Sequence, residues 1–156
     1  MGRLDQVRFW SRIALALLLA TLSSKLALAA DPTVDELKAR VSLTSVRDRP
    51  HLCVHIAEME MEQADKLFAA DELNQAQTAL TQVVAYSEMA RDYAIRSRKY
   101  QKQTEIAVRG ITRRISDLVH SMPHDYQGPL RDALKKLQHV RDDLLGAMFP
   151  QGGNGK

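Results

Sequence analysis

The sequence has 156 residues, with 22 Lys and Arg against 19 Asp and Glu, and a single cysteine. This length suits one compact domain or one extended helical unit and is short for two domains. The net charge of +3 arises before residue 30, where four basic residues accompany one acid, so 18 residues of each sign remain beyond that point. A neutral body gives no argument for nucleic-acid binding.

Residues 1–29 have the pattern of a secretory signal peptide. Arg3, Arg8 and Arg12 precede an apolar run at 13–22, and Ala-Leu-Ala at 27–29 fits a small-residue cleavage site. The apolar run is about half of the roughly 20 residues that span a bilayer, so a retained membrane anchor is the weaker alternative. We therefore expect an exported protein, periplasmic or secreted, whose helical domain covers residues 30–150.

Two helices are predicted before residue 71. Thr33 and Glu36 have the spacing of a capping box, which starts a short helix at Val34. Pro50 suits the first turn of a second helix, over about 51–70. Apolar residues of this second helix recur at intervals of three and four and define one buried face: Leu52, Ile56, Met59, Ala64, Leu67 and Phe68.

The longest predicted helix runs from Leu73 to Met122, with Asp71 placed to cap it. Along it, mostly small or apolar residues recur at a spacing that alternates between three and four, which is a heptad seam. The seam comprises Leu73, Ala76, Leu80, Val83, Ser87, Ala90, Ala94, Ser97, Gln101, Thr104, Val108, Ile111, Ile115, Leu118 and Met122. No proline occurs between residues 50 and 123, so one rod of about 75 Å is predicted, with a kink near Gly110 as an alternative.

The middle of this seam, from Ser87 to Thr104, is small or polar, whereas both of its ends are aliphatic. Such a stretch must either pack closely against another helix or stay hydrated, and polar seam residues can set partner choice. We therefore expect self-association through this part of the long helix.

A last helix is predicted to begin at Gly128-Pro129, and its apolar stripe comprises Leu130, Leu134, Leu137, Val140, Leu144 and Met148. The Gly-rich residues 151–156 are expected to be a disordered tail. Short turns on both sides of the long helix predict that the shorter helices fold back antiparallel on it. The predicted fold class is all-α: an antiparallel helical bundle, or hairpins, around one long central helix with a coiled-coil-like seam.

One candidate metal site is present. His51, His55 and Met59 lie at i, i+4 and i+8 and share a helix stripe of nitrogen and sulfur ligands that suit copper or zinc. Cys53 lies about 200° away on the same helix, so it is expected to be a buried apolar side chain, with an intermolecular disulfide as the alternative. The competing interpretation is that Met59 fills the core and the histidines are solvated.

Catalytic motifs are missing from the sequence: it contains no C-x-x-C-H, G-x-S-x-G or H-E-x-x-H and no glycine-rich phosphate loop. A lone cysteine or serine also needs a base within hydrogen-bond reach, which a helical rod rarely provides. We therefore expect no enzymatic activity and no cofactor.

Charge is segregated along the helices. Residues 58–72 hold six acids and one lysine, whereas residues 91–114 hold eight basic residues and two acids. In a hairpin that turns at Asp71 the acidic stretch lies beside residues 73–85, so it does not neutralise the basic stretch within its own hairpin. The alternative is that both stretches are solvated faces with partial internal pairing. The predicted partner-binding residues of the basic stretch are Arg91, Tyr93, Arg96, Arg98, Lys99, Tyr100 and Lys102. The expected partner is a protein or a second copy, with an anionic envelope polymer or lipid headgroups as alternatives.

The segment Leu67-Phe-Ala-Ala-Asp71-Glu-Leu-Asn-Gln-Ala76, followed by Leu80, resembles the tight helix turn of a tetratricopeptide repeat. The resemblance covers one repeat, and no second copy follows at a 34-residue period, so it implies a helical hairpin rather than a solenoid. In layout the chain also resembles uncharacterised bacterial exported all-helical proteins, a resemblance that implies no activity. The sequence therefore favours a non-enzymatic periplasmic interaction or scaffold protein.

Overall fold

The computed structural model describes residues 31–150, and this part of the chain contains α-helices and no strand. Five α-helices follow one another: α1 Val34–Val41, α2 Arg49–Ala69, α3 Leu73–Ser97, α4 Gln101–Ser121 and α5 Gln127–Met148. A 3-10 turn, His124–Tyr126, precedes α5. The all-α prediction is confirmed, whereas the predicted signal peptide (1–29) and tail (151–156) lie outside the described residues.

Local signals define the start of α1 and α2. In the capping box of α1, the Glu36 backbone N–H donates to the Thr33 hydroxyl at 3.3 Å, and the Thr33 N–H donates to the Glu36 carboxylate at 2.9 Å. Pro50 occupies the first turn of α2. Both features agree with the sequence, because they depend on neighbouring residues only.

The prediction that Asp71 caps α3 is wrong. Asp71 has a left-handed backbone, with φ of 61°, and Glu72 occupies the cap position without a side-chain hydrogen bond. A left-handed residue lets the next backbone N–H reach back to the end of the preceding helix. Here the Glu72 N–H donates to the Leu67 carbonyl at 2.9 Å, so Asp71 reverses the chain rather than capping α3.

The single helix predicted for residues 73–122 is also wrong, because the chain breaks between Ser97 and Gln101. Arg98 and Tyr100 both have left-handed backbones, with φ of 54° and 63°. A straight rod would leave much of its seam without a covering helix, whereas the break folds α4 and α5 back onto α2 and α3 and buries it. Helix α4 continues through Gly110, and the chain breaks at residues 98–100 instead.

Helices α2 to α5 form a four-helix bundle made of two hairpins. Helix α3 returns antiparallel along α2, and α5 returns antiparallel along α4, as the short turns predict. An Asp65–Arg114 ion pair joins α2 to α4, and an Arg91–Asp143 pair of 2.9 Å joins α3 to α5. Since Lys99 also contacts Asp48, α4 runs parallel to α2. The short helix α1 packs on the outside of α2.

The seam residues form the core, so the predicted buried face is confirmed even though the helix is interrupted. Its buried members on α3 and α4 are Ala76, Leu80, Val83, Ser87, Ala90, Ala94, Thr104, Val108, Ile111 and Ile115. The rest of the chain covers most of the polar middle: Ser87 and Ala94 are fully buried, Ser97 and Gln101 are half-buried, and the Ser87 hydroxyl donates to the Val83 carbonyl at 2.7 Å. The chain therefore covers most of this seam itself, and the self-association expected through it stays a prediction.

Helix α5 supplies the other side of the core, with Leu130, Leu137, Val140 and Leu144 buried and Leu134 and Met148 half-buried along the predicted stripe. Within residues 31–150, every helix falls short of the combined length and apolarity that crossing a bilayer requires.

Candidate functional site

Six basic residues lie at one end of the bundle, where loop 42–48, the start of α2, the 98–100 turn and the start of α4 meet. We call this surface the basic end, and its basic residues are Arg47, Arg49, Arg96, Arg98, Lys99 and Lys102. A contact between the Lys99 ammonium and the Asp48 carboxylate, at 3.3 Å, joins the 98–100 turn to the loop before α2. The break in the predicted long helix therefore creates this surface.

Arg49 holds the shape of the basic end. Its guanidinium donates to the backbone carbonyls of Thr44, at 3.0 Å, and Ser42, at 3.1 Å. The same group lies over the Tyr93 ring, 5.2 Å from its centroid, and donates to the Tyr93 hydroxyl at 3.5 Å. One side chain thus ties the loop between α1 and α2 to helix α3.

The sequence reasoning missed Arg49. A signal was nevertheless present, because a basic residue at a helix start faces the positive end of the helix dipole and is unfavourable there without another partner. Arg49 occupies the first position of α2, ahead of Pro50. Its hydrogen bonds to two loop carbonyls and its position over Tyr93 provide that compensation.

The structure divides the predicted partner-binding residues into two groups. Arg91 is bound internally, to Asp92 at 2.8 Å and to Asp143 at 2.9 Å, and Tyr93 packs under Arg49. Tyr100 is half-buried, with its ring centroid 6.1 Å from that of His51. The exposed group, which projects from the basic end, comprises Arg96, Arg98, Lys99 and Lys102.

Within this exposed group, only Lys99 has an acidic partner among the described residues. Its ammonium also lies 4.8 Å from the centre of the Tyr100 ring. Hydrogen bonding to Tyr100 and then to Asp48 raises the pKa of Lys99, so this side chain stays positive. Hydrogen bonding from Ser45, followed by that from Lys99, lowers the pKa of Asp48. In the part of the chain that the structure describes, Arg96, Arg98 and Lys102 form no ion pair.

The start of α4 adds to the positive potential of the basic end. The first turn of α4 contains no acidic residue, and Tyr100 at its cap position makes no side-chain hydrogen bond. The partial positive charge of the helix terminus is therefore not neutralised locally. Lys102 lies in this turn, so its charge adds to that of the backbone.

The acidic and basic stretches are partly paired, as the alternative of partial internal pairing expects. Arg114 of the basic stretch pairs with Asp65 of the acidic stretch, and Glu105 pairs with Arg141, at 3.1 Å, and with Arg109, at 3.2 Å. Because the break places α4 beside α2, the later half of the basic stretch is partly neutralised. The free positive charge is concentrated at residues 96–102, at the basic end.

Exposed apolar side chains border the same surface. Leu43 and Val46 lie in the loop before α2, with 85% and 42% of their surface exposed, and Phe149 follows α5 with 70% exposed. Helix α5 ends near the start of α4, as the Glu105–Arg141 pair shows, so Phe149 lies at this end of the bundle. Basic and apolar side chains are therefore both exposed at this end of the bundle.

The predicted metal ligands lie on α2 next to the basic end, but in different environments. His51 and His55 are exposed, whereas Met59 is half-buried and packs against the cluster of Leu37, Val41, Cys53, Ile56 and Ala90. No group of three or more His, Cys, Asp or Glu side chains suited to a metal ion occurs within residues 31–150. Met59 thus contributes to packing, as the competing interpretation expects.

Cys53 is fully buried, as predicted. Burial raises the pKa of its thiol to about 11, and nearby Arg49 offsets only part of this effect. A thiol needs to ionise before it attacks an electrophile, so Cys53 is a poor nucleophile at neutral pH.

A groove of about 620 Å³ lies between α1, α2 and α3 and is lined mostly by polar side chains. A Lys38–Glu60 ion pair of 2.6 Å crosses it, and Glu60 is buried. The Lys38 ammonium also lies 5.7 Å from the centre of the Tyr86 ring, and burial raises the pKa of Tyr86. These contacts attach α1 to the bundle, which accounts for the charged pair without a ligand.

A scan against protein-family models finds no match, and searches of curated proteins and of solved structures find none either.

Proposed function

We propose that this chain is a non-enzymatic interaction protein that acts after export and binds an acidic segment of a partner protein through the basic end. One observation carries the proposal: Arg96, Arg98 and Lys102 are exposed at the end of the bundle that also exposes apolar side chains, without an acidic partner in the described part of the chain. Unpaired charges beside apolar surface favour steering towards, and binding of, a partner of opposite charge.

Several features of the basic end indicate a surface that is suited to binding carboxylates. Arg49 fixes the underlying loop through two backbone carbonyls, so the surface is ordered before a partner arrives. Ordering before binding lowers the entropic cost of association. Arg side chains are also well suited to paired hydrogen bonds with carboxylates.

A non-catalytic role agrees with the burial of Cys53, whose thiol has a pKa raised to about 11 and is a poor nucleophile at neutral pH. The alternative function, a copper- or zinc-binding protein using His51, His55 and Met59, gains no support from the packing of half-buried Met59 against the apolar cluster around Cys53. Titration with Cu(I) or Zn(II) tests it, since it requires tighter binding to the natural chain than to the His51→Ala/His55→Ala variant.

The proposal is tested by removing the free charges of the basic end. The variant Arg96→Glu/Arg98→Asn/Lys102→Glu lowers the net charge by five, and asparagine at 98 is chosen because it tolerates the left-handed backbone. Binding of a labelled polyglutamate peptide is measured by fluorescence anisotropy, together with capture of proteins from envelope extract. We expect at least about tenfold weaker peptide binding and loss of the captured partner.

A matched control has the same charge change on α5, away from the basic end. The variant Arg131→Gln/Lys135→Glu/Lys136→Glu also lowers the net charge by five at exposed positions. If both variants lose binding equally, net charge rather than the basic end governs the interaction, and if neither loses binding, the basic end does not bind the peptide. Either result shows that the proposal is wrong. Circular dichroism of both variants confirms that the helices remain folded.

A further inference from the structure

The connection between α3 and α4 is strained. It consists of Arg98, Lys99 and Tyr100, of which Arg98 and Tyr100 have left-handed backbones, and it contains no glycine or proline. Side chains other than glycine disfavour this conformation, and all three residues are acceptable in a helix interior. The local sequence therefore prefers a continuous helix over the turn that is observed.

The heptad seam stays in register across this connection. Ala94, Ser97, Gln101 and Thr104 follow one another at intervals of three, four and three, as the seam does on both sides. If residues 98–100 became helical, the buried faces of α3 and α4 would form one continuous stripe. The spacing of the seam residues would therefore not have to change for α3 to extend into α4.

Backbone hydrogen bonding adds to this local preference. The end of α3 and the start of α4 each leave backbone groups without intrahelical partners. The start of α4 has no side-chain cap, and at the end of α3 the Arg98 N–H makes only a 3.3 Å bond to the Ile95 carbonyl. Joining the two helices would restore the missing bonds.

We propose that the chain forms a domain-swapped dimer with a second copy of itself, in which residues 98–100 become helical and one helix runs from Leu73 to Ser121. The α4/α5 hairpin of each copy then packs against α2 and α3 of the other copy. Every contact that joins the two hairpins in the monomer, including Asp65–Arg114 and Arg91–Asp143, re-forms between copies. Short strained connections are known to favour such exchange.

Contacts around the turn oppose the exchange and hold the monomer. These are the Lys99–Asp48 ion pair and the packing of Tyr100 beside His51, both of which require the turn. They are exposed or half-buried, so they hold the monomer weakly. Dimer formation therefore depends on protein concentration. Dimer formation also moves Arg98 and Lys102 from the end of the bundle to the middle of a long helix. The proposed exchange does not depend on what the basic end binds.

Two variants with matched side-chain loss test the proposal. Arg98→Gly/Tyr100→Gly relieves the left-handed strain and weakens a helix through residues 98–100, whereas Arg98→Ala/Tyr100→Ala removes the same side chains but keeps both the strain and the helix preference. We expect the alanine variant to dimerise with an association constant roughly 100-fold or more above that of the glycine variant. Light scattering after size-exclusion chromatography measures both, after refolding from urea at a series of concentrations.

Cross-linking distinguishes exchange from any other dimer. In a Cys53→Ala background, one chain carries Asp65→Cys and the other carries Arg114→Cys, and the two are unfolded together, refolded and treated with a short bismaleimide. Since residues 65 and 114 come from different copies in the swapped dimer, a cross-linked heterodimer is expected. Small-angle scattering should also show a rod containing a helix of roughly 74 Å.

The proposal is wrong if the alanine variant is monomeric at every concentration, or if its dimer gives no cross-link between the two chains. Should the alanine variant not refold, chains that keep Arg98 and Tyr100 but carry the same cysteine substitutions are refolded together at the highest soluble concentration. A cross-linked heterodimer from these chains supports exchange, and its absence contradicts it. Neither result involves an acidic partner, so the outcome is separate from that for the proposed function.

Discussion

Arg49 offers the sharpest test of how the basic end is built. The substitution Arg49→Met keeps an unbranched apolar stem but removes the guanidinium. It deletes the hydrogen bonds to the carbonyls of Thr44 and Ser42 and the contact with the Tyr93 ring. We expect the loop before α2 to lose its attachment to α3 and the protein to lose stability.

The size of this effect follows from the contacts. A hydrogen bond to a charged group contributes about 1.5–3 kcal/mol, and Arg49 is only half-buried, so we assign about 1 kcal/mol to each of its two carbonyl bonds. A cation over an aromatic ring adds about 0.5–1 kcal/mol at such a site. The free energy of unfolding should therefore fall by about 2–3 kcal/mol.

Urea unfolding followed by circular dichroism measures this change, with Arg47→Met as the matched control. Arg47 lies in the same loop, is exposed and forms no ion pair in the described part of the chain, so its substitution removes the same charge without these contacts. We expect the control to lie within about 0.5 kcal/mol of the natural chain. If Arg49→Met falls within that range too, Arg49 does not hold the loop and the reasoning is refuted.

Two further predictions concern buried ionisable groups. Burial raises the pKa of Cys53 from 9.0 to about 11, so between these pH values only the unfolded chain loses the thiol proton. The free energy of unfolding should therefore fall as the pH rises from 9 to 11, by up to about 2–3 kcal/mol more than in Cys53→Ala, as measured by urea unfolding at each pH. An equal pH dependence in the two proteins would contradict the buried thiol. Arg141→Leu leaves the buried Glu105 carboxylate with Arg109 alone and should cost about 1–3 kcal/mol, whereas Glu105→Leu/Arg141→Leu should recover most of this loss. A double variant less stable than the single one would show that the pair is net stabilising.

Much of the helical architecture could be predicted because its causes are local. The Thr33–Glu36 capping box and Pro50 in the first turn of α2 depend on residues within one helical turn. The three- and four-residue spacing from Ala76 to Ile115 identified the buried face of α3 and α4, since periodicity places those side chains together wherever the helix lies.

The candidate site was predicted only in part. Arg96, Arg98, Lys99 and Lys102 are exposed as the charge pattern suggested, and the binding role assigned to them stays a prediction. Arg91 and Tyr93 belong to the same stretch, yet they are used internally, because their partners, Asp143 on α5 and Arg49 on α2, are distant in sequence. A charge pattern cannot distinguish these two uses.

The sequence by itself determined that this chain is helical, where α1 and α2 begin, and which side of each helix avoids water. Only the tertiary structure decided that the helix predicted from Leu73 ends at Ser97 and that α4 lies beside α2. Periodicity specifies a face that must be covered but not what covers it. Local preference at Arg98 and Tyr100 favours a straight helix, and the apolar area that α4 and α5 bury against the rest of the chain outweighs it.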